Sequence, residues 1–242
     1  MYSKPFYISE NIWNNSLSFN KRENPKLYVP NLIKISDFSE IKLLKESDEK
    51  ITFQDFWFDD ELSTNFWLEN FYEIEYFWKK IYLFDNHNHA LYFWYLAKNE
   101  WKIINWATLY HIDEHADYRD PKMDLEKTDL KSIFDYTNFS KINVGNYIIP
   151  AEKEWLIWKT IQIRNTQNLE NYLENKKYKE KNIILNLDLD FFQPDLDFID
   201  YKLKKKVVLD IAKKADIITV STSPFFIDQH LTLKVFKDLF YK

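Results

Sequence analysis

Asn182-Ile-Ile-Leu-Asn-Leu-Asp-Leu-Asp190 is the stretch that decides the fold. Its run of branched aliphatic residues is typical of a central strand in a parallel sheet, which is buried on both faces. The run ends on two carboxylates, Asp188 and Asp190, whose burial costs free energy unless a cation or hydrogen-bond donors compensate for it. Helix capping would account for one aspartate but less well for both. The stretch therefore predicts a buried strand with a metal site at its carboxyl end.

Similar apolar runs lie on both sides of this stretch and alternate with helical segments. The predicted strands are residues 80–85, 104–113, 182–190 and 216–223, and the predicted helices are 90–101, 204–215 and 228–240. This alternation is typical of a three-layer α/β domain with a mainly parallel sheet flanked by helices. Such sheets bind ligands at the carboxyl ends of their strands, so the polar residues that end these strands are expected to converge.

The end of the second predicted strand carries Asp113-Glu-His115-Ala-Asp117. In an extended segment alternate side chains point the same way, so the two aspartates and the histidine share one side. Two carboxylates and an imidazole suit Mn²⁺ or a similar divalent cation. A solvated acidic loop can show the same pattern by chance, which leaves both interpretations open for this segment by itself.

The end of the first predicted strand carries Asp85-Asn-His87-Asn-His89. A single histidine is more often a hydrogen-bonding group than a metal ligand. Because three strand ends with metal-ligating side chains should meet at one sheet edge, His87 becomes a candidate ligand.

Composition limits the chemistry further. The 242 residues contain no cysteine, which excludes disulfides and thiolate metal sites, and the net charge of −5 argues against nucleic acid as a partner.

No signal peptide and no apolar stretch of about 18 residues is visible, so we expect a cytoplasmic protein without a membrane partner. Self-association into a homo-oligomer stays open. The lysines of residues 202–206 are interpreted as the solvated face of a helix.

The chain is expected to form a single domain over residues 1–242, in which residues 1–78 are a polar and aromatic N-terminal extension packed on the core. The end of this extension, Phe53 to Trp78, is rich in aromatic and acidic residues. Its apolar spacing predicts an amphipathic helix or two that cover one side of the core. A groove for a cationic peptide is the second interpretation of this segment.

Five blocks of the sequence, in this order, resemble the peptide arginase family of the arginase, or ureohydrolase, superfamily. They are His87 to Leu91, Asp113 to Asp117, Gly145 to Ala151, Leu187 to Phe192 and Thr222 to Phe225. The resemblance covers about residues 79–242. It implies an arginase-like fold and an arginine-containing peptide as substrate, converted to peptidyl ornithine with release of urea.

The resemblance also implies a set of metal ligands and two Mn²⁺ ions. One ion would lie on His87, Asp113, Asp117 and Asp188, and the other on Asp113, His115, Asp188 and Asp190. Two cations that share a water lower its pKa from about 15.7 to about 7. Asp117 would then act as a catalytic residue that orients the activated water.

The chain departs from ordinary arginases at the residues that handle substrate. Their proton-transferring histidine is Ile148 here, so His89 or His111 is expected to replace it. Their guanidinium-binding glutamate is Ser221 here, so Asp228 or another acid is expected to pair with the guanidinium. Asn146 is a candidate substrate contact, with bracing of its loop as the simpler role.

Two other functional classes stay open at this point. One is a deacetylase-like amidohydrolase on the same scaffold, and the other is a metal-binding protein without catalysis.

Overall fold

A seven-stranded sheet forms the centre of the computed structural model, which describes residues 1–36, 40, 44–56, 61–175 and 181–241. In spatial order its strands are β3 (Leu32–Ile35), β6 (Phe71–Tyr76), β7 (Lys79–Phe84), β11 (Ile217–Ser221), β10 (Ile183–Asp188), β8 (Ala107–Ile112) and β9 (Ile157–Ile163). Every neighbouring pair in this sheet is parallel except β6 and β7. The predicted α/β class with a mainly parallel sheet is confirmed.

Strand β10 lies in the middle of the parallel block, and all six of its residues are buried. It pairs with β8 on one side and β11 on the other, with Leu187 opposite Ile112 and Asp188 opposite Ser221. Ser221 is in turn opposite Phe84 at the end of β7. The carboxyl ends of β7, β8, β10 and β11 therefore meet at one edge of the sheet, as the sequence predicts.

The described part of the chain contains six α-helices beside the sheet: α1 (Ala90–Asn99), α2 (Leu130–Phe139), α3 (Ile148–Lys153), α4 (Thr166–Asn175), α5 (Tyr201–Lys214) and α6 (Gln229–Phe240). The three predicted helices correspond to α1, α5 and α6. Helices α5 and α6 begin after Asp200 and Asp228, whose carboxylates accept a hydrogen bond from a backbone N–H of the first turn. None of the described helices is long and apolar enough to cross a membrane.

The helix prediction for Phe53 to Trp78 is wrong. This part of the chain contains the end of β4 (Glu46–Phe56), which pairs antiparallel with β5 (Leu62–Leu68), followed by β6; residues 57–60 of the prediction lie outside the described residues. Aromatic residues are so frequent here that they fit a helical and an alternating spacing equally. Their strong preference for strands therefore decides the local structure.

Residues 1–78 also contribute to the central sheet directly, because β3 and β6 are two of its strands. A separate small sheet pairs β1 (Phe6–Ile8) with β2 (Leu27–Val29). Strands β3, β6 and β9 were not among the four predicted. In β9 only the first and last residues are buried, so the strand lacks the continuous apolar run that identifies β10.

Candidate metal centre

The candidate ligands come from three strand ends of the parallel block. His87 lies in a short 3-10 helix directly after β7, and Asp113 follows β8 immediately. Asp188 is the last residue of β10, and Asp190 lies in the 3-10 helix that follows. All four side chains are buried. The structure thus brings together residues that are up to about 100 positions apart in the chain.

The first group of ligand atoms surrounds Nδ1 of His87. One carboxylate oxygen of each of three aspartates lies close to this nitrogen, at 3.1 Å for Asp113, 3.2 Å for Asp117 and 3.0 Å for Asp188. Neither ring nitrogen of His87 has a partner aligned as a hydrogen bond among the described residues. Neighbouring ligands of an octahedral cation with bonds of about 2.1 Å stand about 3.0 Å apart. The spacing is therefore that of ligand atoms arranged around a common cation.

The second group consists of Asp113, His115 and Asp190. Nδ1 of His115 lies 2.9 Å from Oδ2 of Asp190 and 3.6 Å from Oδ1 of Asp113. The His115 side chain is 44% exposed, whereas both carboxylates are buried. This group is therefore exposed to solvent on the side of His115.

Asp113 belongs to both groups. Its Oδ2 faces His87, and its Oδ1 faces His115. The orientation is fixed locally, because Oδ1 also accepts the backbone N–H of His115. A carboxylate with one oxygen directed into each group is the arrangement that lets a single residue bridge two cations.

Asp188 is held by two further hydrogen bonds. Its Oδ1 accepts the backbone N–H of Asp190 at 3.0 Å, and its Oδ2 accepts the hydroxyl of Ser223 at 2.5 Å. Such contacts orient a ligating carboxylate and restrict its rotamers. Ser223 belongs to the fifth sequence block. This block therefore contributes to the centre by orienting the ligand Asp188 through a hydrogen bond.

Without cations the centre carries an electrostatic conflict. Burial and the charge of Asp113 raise the pKa of Asp117 to about 7, and burial together with Asp113 and Asp188 raises the pKa of Asp190 well above its usual range. Burial disfavours the charged form of His87, but Asp188 and the other carboxylates outweigh it and raise its pKa well above the ordinary value. Bound positive charge is what would allow all these carboxylates to ionise together.

The residues present fit a divalent metal. Two sets of three side chains, His87 with His111 and Asp113, and Asp113 with His115 and Asp190, each have ligand atoms within 4.8 Å of one another. Oδ2 of Asp113 is buried and, like the His87 nitrogens, has no hydrogen-bond partner among the described residues. Buried polar atoms without partners cost free energy that coordination would recover.

Comparisons with known proteins do not name a family. No protein-family model matches the chain, and no curated protein matches it. The resemblance to the peptide arginases therefore depends on the five sequence blocks alone.

His111 precedes Asp113 by two residues and lies among the candidate ligands. The sequence suggests it only as an alternative residue for proton transfer. Its Nε2 lies 3.3 Å from Oδ2 of Asp113, and its Nδ1 lies 3.0 Å from Nδ2 of Asn186. The amide of Asn186 is oriented by the Thr219 hydroxyl, which accepts a hydrogen bond from Trp94 and donates one to Asn186 Oδ1 at 2.8 Å. Asn186 Nδ2 therefore donates, and His111 Nδ1 must accept.

This hydrogen-bond chain fixes the tautomer of His111. With Nδ1 as an acceptor, the neutral ring carries its proton on Nε2, which points to Asp113. Burial also lowers the pKa of His111 to about 4, which keeps the ring neutral. His111 is close enough to act as a metal ligand. In this tautomer the protonated Nε2 lies 3.3 Å from Oδ2 of Asp113, but neither atom has a partner aligned as a hydrogen bond among the described residues. No signal in the sequence reveals this tautomer, because Asn186 and Thr219 are on other strands.

His89, the first candidate for proton transfer, lies in a different network. Its Nδ1 is 2.8 Å from the hydroxyl of Tyr2, and its Nε2 is 3.3 Å from Oδ1 of Asp85. Tyr2 receives a hydrogen bond from Asn138, so it is free to donate to His89. Both ring nitrogens are thus engaged outside the ligand groups, which favours a structural role for this residue.

Two predicted substrate contacts are occupied by local hydrogen bonds. Asn146 accepts the backbone N–H of Asn143 at 2.9 Å and donates to the carbonyl of Lys141 at 3.2 Å, so it braces its own loop. Ser221 is buried, donates to the carbonyl of Asp85 at 2.5 Å and lies 2.9 Å from the hydroxyl of Ser223. The structure does not bring either side chain to the exposed side of the centre.

A cavity of about 430 Å³ lies next to the second ligand group. Its walls are residues 63–66 of β5 and residues 224–229 at the start of α6. Phe226 of the second wall packs against His115, with ring centroids 4.6 Å apart. Asp228 lines this cavity, and its Oδ1 also caps α6 through the backbone N–H of Leu231. Phe226 therefore belongs to the cavity wall and also contacts His115, while Asp228 gives the cavity a carboxylate that can meet a cationic group.

Lys204 corrects the interpretation of residues 202–206 as a solvated face. Its side chain is buried, and Nζ donates to the carbonyls of Phe191 and Leu196 at 2.8 and 2.9 Å. These carbonyls belong to the segment that follows Asp190. Lys204 therefore braces the backbone that carries one of the candidate ligands.

Proposed function

We propose that this protein is a binuclear metal-dependent ureohydrolase that converts arginine within a peptide to ornithine and releases urea. The observation that carries the proposal is the convergence of four aspartates with His87 and His115 in two groups that share Asp113. Carboxylates are four of these six side chains and none is a thiolate, which favours Mn²⁺. Six ligands also favour two cations over the single zinc of a deacetylase-like site.

The reaction is a hydrolysis that needs no other reactant. The oxygen of water adds to the guanidinium carbon, and the bond from this carbon to Nε of the arginine breaks. Cations in the centre would supply Lewis-acid activation of water near neutral pH. Asp117 would accept the proton of the attacking water and deliver it to the departing nitrogen, which leaves as the amine of ornithine.

Supporting residues would keep this geometry in place. Ser223 and the backbone N–H of Asp190 hold Asp188, and the backbone N–H of His115 holds Oδ1 of Asp113. Fixed hydrogen bonds of this kind spare the site the cost of reorganising its ligands during reaction. Phe226, which forms part of the cavity wall, packs against His115.

The substrate side of the proposal uses the same cavity. Its β5 wall contains three short polar side chains, Ser63, Thr64 and Asn65, and its other wall contains Asp228. An arginine side chain that enters from this cavity would meet a carboxylate, while the polar wall offers hydrogen bonds to a peptide backbone. A free amino acid could not use the wall in this way, so we propose peptidyl arginine as the substrate.

The test is a substrate comparison with Mn²⁺-loaded protein. Free arginine, agmatine and arginine-containing peptides are each incubated with it, and released urea and the mass of each peptide are measured. We expect urea and a peptide mass that corresponds to ornithine, with no urea from free arginine. Asp113→Ala and Asp190→Ala should lose this activity, whereas the control His230→Ala, at an exposed position of α6, should keep it.

Other outcomes separate the remaining classes. Turnover of free arginine or agmatine with the peptides untouched would contradict the substrate assignment. Removal of acetyl groups from acetyl-lysine peptides without urea release would indicate the deacetylase-like activity. Metal binding without turnover of any of these compounds would indicate a metal-binding protein.

A further inference from the structure

The edge of the sheet opposite the candidate metal centre carries an unusual group of exposed aromatic residues. The parallel strands β7, β8, β9, β10 and β11 all begin there. We define the amino edge as residues 76–80, 98–106, 153–159, 181–182 and 213–216, which precede or begin these strands.

Contacts between its segments make the amino edge one continuous surface. Lys79 donates to the carbonyl of Lys213, and Asn182 donates to the carbonyl of Ile104 at 2.9 Å. The rings of Trp106 and Trp155 lie side by side, with centroids 5.0 Å apart. Their backbones are joined by a hydrogen bond of 2.9 Å.

The rings on this surface are directed into solvent. Trp78 is 100% exposed, Trp101 is 85% exposed and Phe77 is 76% exposed. Three further tryptophans and one isoleucine are more than half exposed: Ile104, Trp106, Trp155 and Trp158. A concentration of large apolar side chains at one end of a molecule marks an interaction surface, whereas single exposed residues do not.

The backbone conformation of these exposed aromatic residues is one that bulky side chains rarely adopt. Five aromatic residues of the amino edge have a positive φ, between 44° and 70°: Phe77, Trp78, Trp101, Trp106 and Trp155. Glycine and asparagine adopt this left-handed conformation most easily, and bulky residues rarely do. The fold itself would therefore be served better by a small residue, and the exposed rings contribute little to the core. Their role is best sought outside the molecule.

The charge of the amino edge differs from that of the whole chain. Its five segments contain nine lysines and three acidic residues, whereas the complete chain has 33 basic and 38 acidic residues. Lys102 and Lys181 are among the exposed lysines next to the rings. Three of the nine lysines form ion pairs within the described part of the chain, Lys80 with Glu73 and Glu100, Lys153 with Asp124, and Lys214 with Asp210. The other six still outnumber the two remaining acidic residues, so the surface is apolar with an excess of positive charge, and its partner should be apolar and negatively charged.

We propose that the amino edge binds peripherally to the surface of an anionic phospholipid membrane. Tryptophan rings favour the boundary between lipid headgroups and acyl chains, and lysines beside them are attracted to anionic headgroups. The rings project from turns between elements, which suits shallow insertion. A second copy of the chain would present the same positive charge and be repelled. Single-stranded nucleic acid would require a groove that follows its backbone, and these rings are on protruding turns.

This orientation leaves the candidate metal centre accessible. The centre lies at the carboxyl ends of the strands whose amino ends would face the membrane. The protein would therefore be held at the surface with the cavity beside His115 directed to the aqueous side. The expectation that the protein has no membrane partner depends on the lack of a signal peptide and of an apolar stretch of about 18 residues, and neither feature detects a local surface of exposed aromatic residues.

The test is cosedimentation of the full chain with lipid vesicles, with tryptophan fluorescence as a second readout. Phosphatidylcholine vesicles that contain about one third phosphatidylglycerol are compared with pure phosphatidylcholine vesicles. We expect binding to the anionic vesicles, a blue shift of the emission and loss of binding at about 0.5 M NaCl. The double variant Trp78→Asn/Trp101→Asn removes the two most exposed rings. Its affinity for the anionic vesicles should therefore fall by at least about tenfold.

These substitutions separate binding from folding. Asparagine is compatible with the positive φ at both positions, so the melting temperature of the double variant should equal or exceed that of the wild type. Phe198→Asn is the matched control, because Phe198 is 75% exposed but lies outside the amino edge, and its binding should be unchanged.

Four outcomes would overturn the proposal. They are a wild type that does not sediment with either vesicle, equal binding to both vesicle types, equal binding by the double variant, and binding to single-stranded RNA in place of vesicles. A wild-type dimer that the double variant abolishes, without vesicle binding, would also overturn it in favour of self-association.

Discussion

Asp117 carries a clear electrostatic cost in the absence of cations. Burial and then the charge of Asp113 raise its pKa from 3.8 to about 7. A carboxyl whose pKa is raised in the folded state contributes stability that is fully present below its unfolded pKa and is lost as the pH rises through its folded pKa. The metal-free protein should therefore lose stability between about pH 4 and pH 7 because of this residue.

Asp117→Asn tests this cost in the presence of a chelator. Relative to the wild type, the variant should gain stability as the pH rises from 4 to 7, because the amide has no proton to lose. The gain at pH 8 should be at least about 1 kcal/mol, or about 2–4 °C in melting temperature. Thermal melts across this pH range measure it, with the exposed Asp195→Asn as control. A difference between variant and wild type that does not change with pH would contradict the account.

The tautomer of His111 gives a second test that needs no substrate. Because Asn186 donates to Nδ1, the proton of the neutral ring should be on Nε2. Two-dimensional ¹H–¹⁵N multiple-bond spectra of the imidazole distinguish the two tautomers. The wild type should show the Nε2–H form, and Asn186→Ala should show a mixture. A wild-type spectrum with the proton on Nδ1 would leave Nε2 open for metal and contradict the assigned tautomer.

The sequence predicts individual ligands unevenly. Asp113 with His115, and Asp188 with Asp190, are visible because each pair is two residues apart at the end of an apolar run. The tautomer of His111 depends on the amide of Asn186 in β10 and the hydroxyl of Thr219 in β11. The spacing of residues along the chain does not show which strands will be neighbours, so the sequence does not predict these contacts. Asn146 looked like a substrate contact because it is polar and near a motif, but its partners are within its own loop.

Helix α6 links the fold to the proposed substrate cavity through Asp228. This residue caps the helix with Oδ1 and also lines the cavity beside His115. Asp228→Asn keeps a capping oxygen but removes the charge, whereas Asp228→Ala removes both. The two substitutions therefore separate the structural role from pairing with a cationic substrate.

We expect Asp228→Ala to lower the stability by about 1 kcal/mol and Asp228→Asn to leave it nearly unchanged. Both should raise KM for an arginine-containing peptide about tenfold or more, with a smaller change in kcat. Asp200→Ala is the matched control, because it removes the cap of α5 and should lower stability without changing KM. Unchanged KM in Asp228→Asn would exclude Asp228 as the guanidinium-binding acid.

The elements that the sequence predicts well are those with an unambiguous spacing. Strand β10 is buried at every position, and its apolar run has no helical alternative. The apolar spacing of Phe53 to Trp78 predicts helix, but its described residues form the end of β4 and the whole of β5 and β6 instead. Their final structure depends on pairing, as when Ile74 of β6 lies opposite Ile81 of β7. Such long-range contacts override a local pattern.

Metal binding should stabilise the molecule as a whole, since only the folded chain brings the three strand ends together. At a free Mn²⁺ concentration of about 100 times Kd, the gain is about 2.7 kcal/mol for one site. For a chain of this length that corresponds to a rise of about 5–10 °C in melting temperature. Thermal melts with and without Mn²⁺ measure it, and Asp113→Ala should show at most a small part of the rise. Equal melting temperatures with Mn²⁺ and with chelator would contradict a structural role for the cations.

The central claim is that this edge of the sheet binds two divalent cations through a shared Asp113. Elemental analysis of Mn²⁺-loaded protein after removal of free metal by gel filtration tests it most directly. The account predicts about two manganese ions per chain in the wild type. It predicts loss of both in Asp113→Ala, and no change in His230→Ala. A wild type that retains no metal, or an Asp113→Ala variant that retains as much as the wild type, would contradict it.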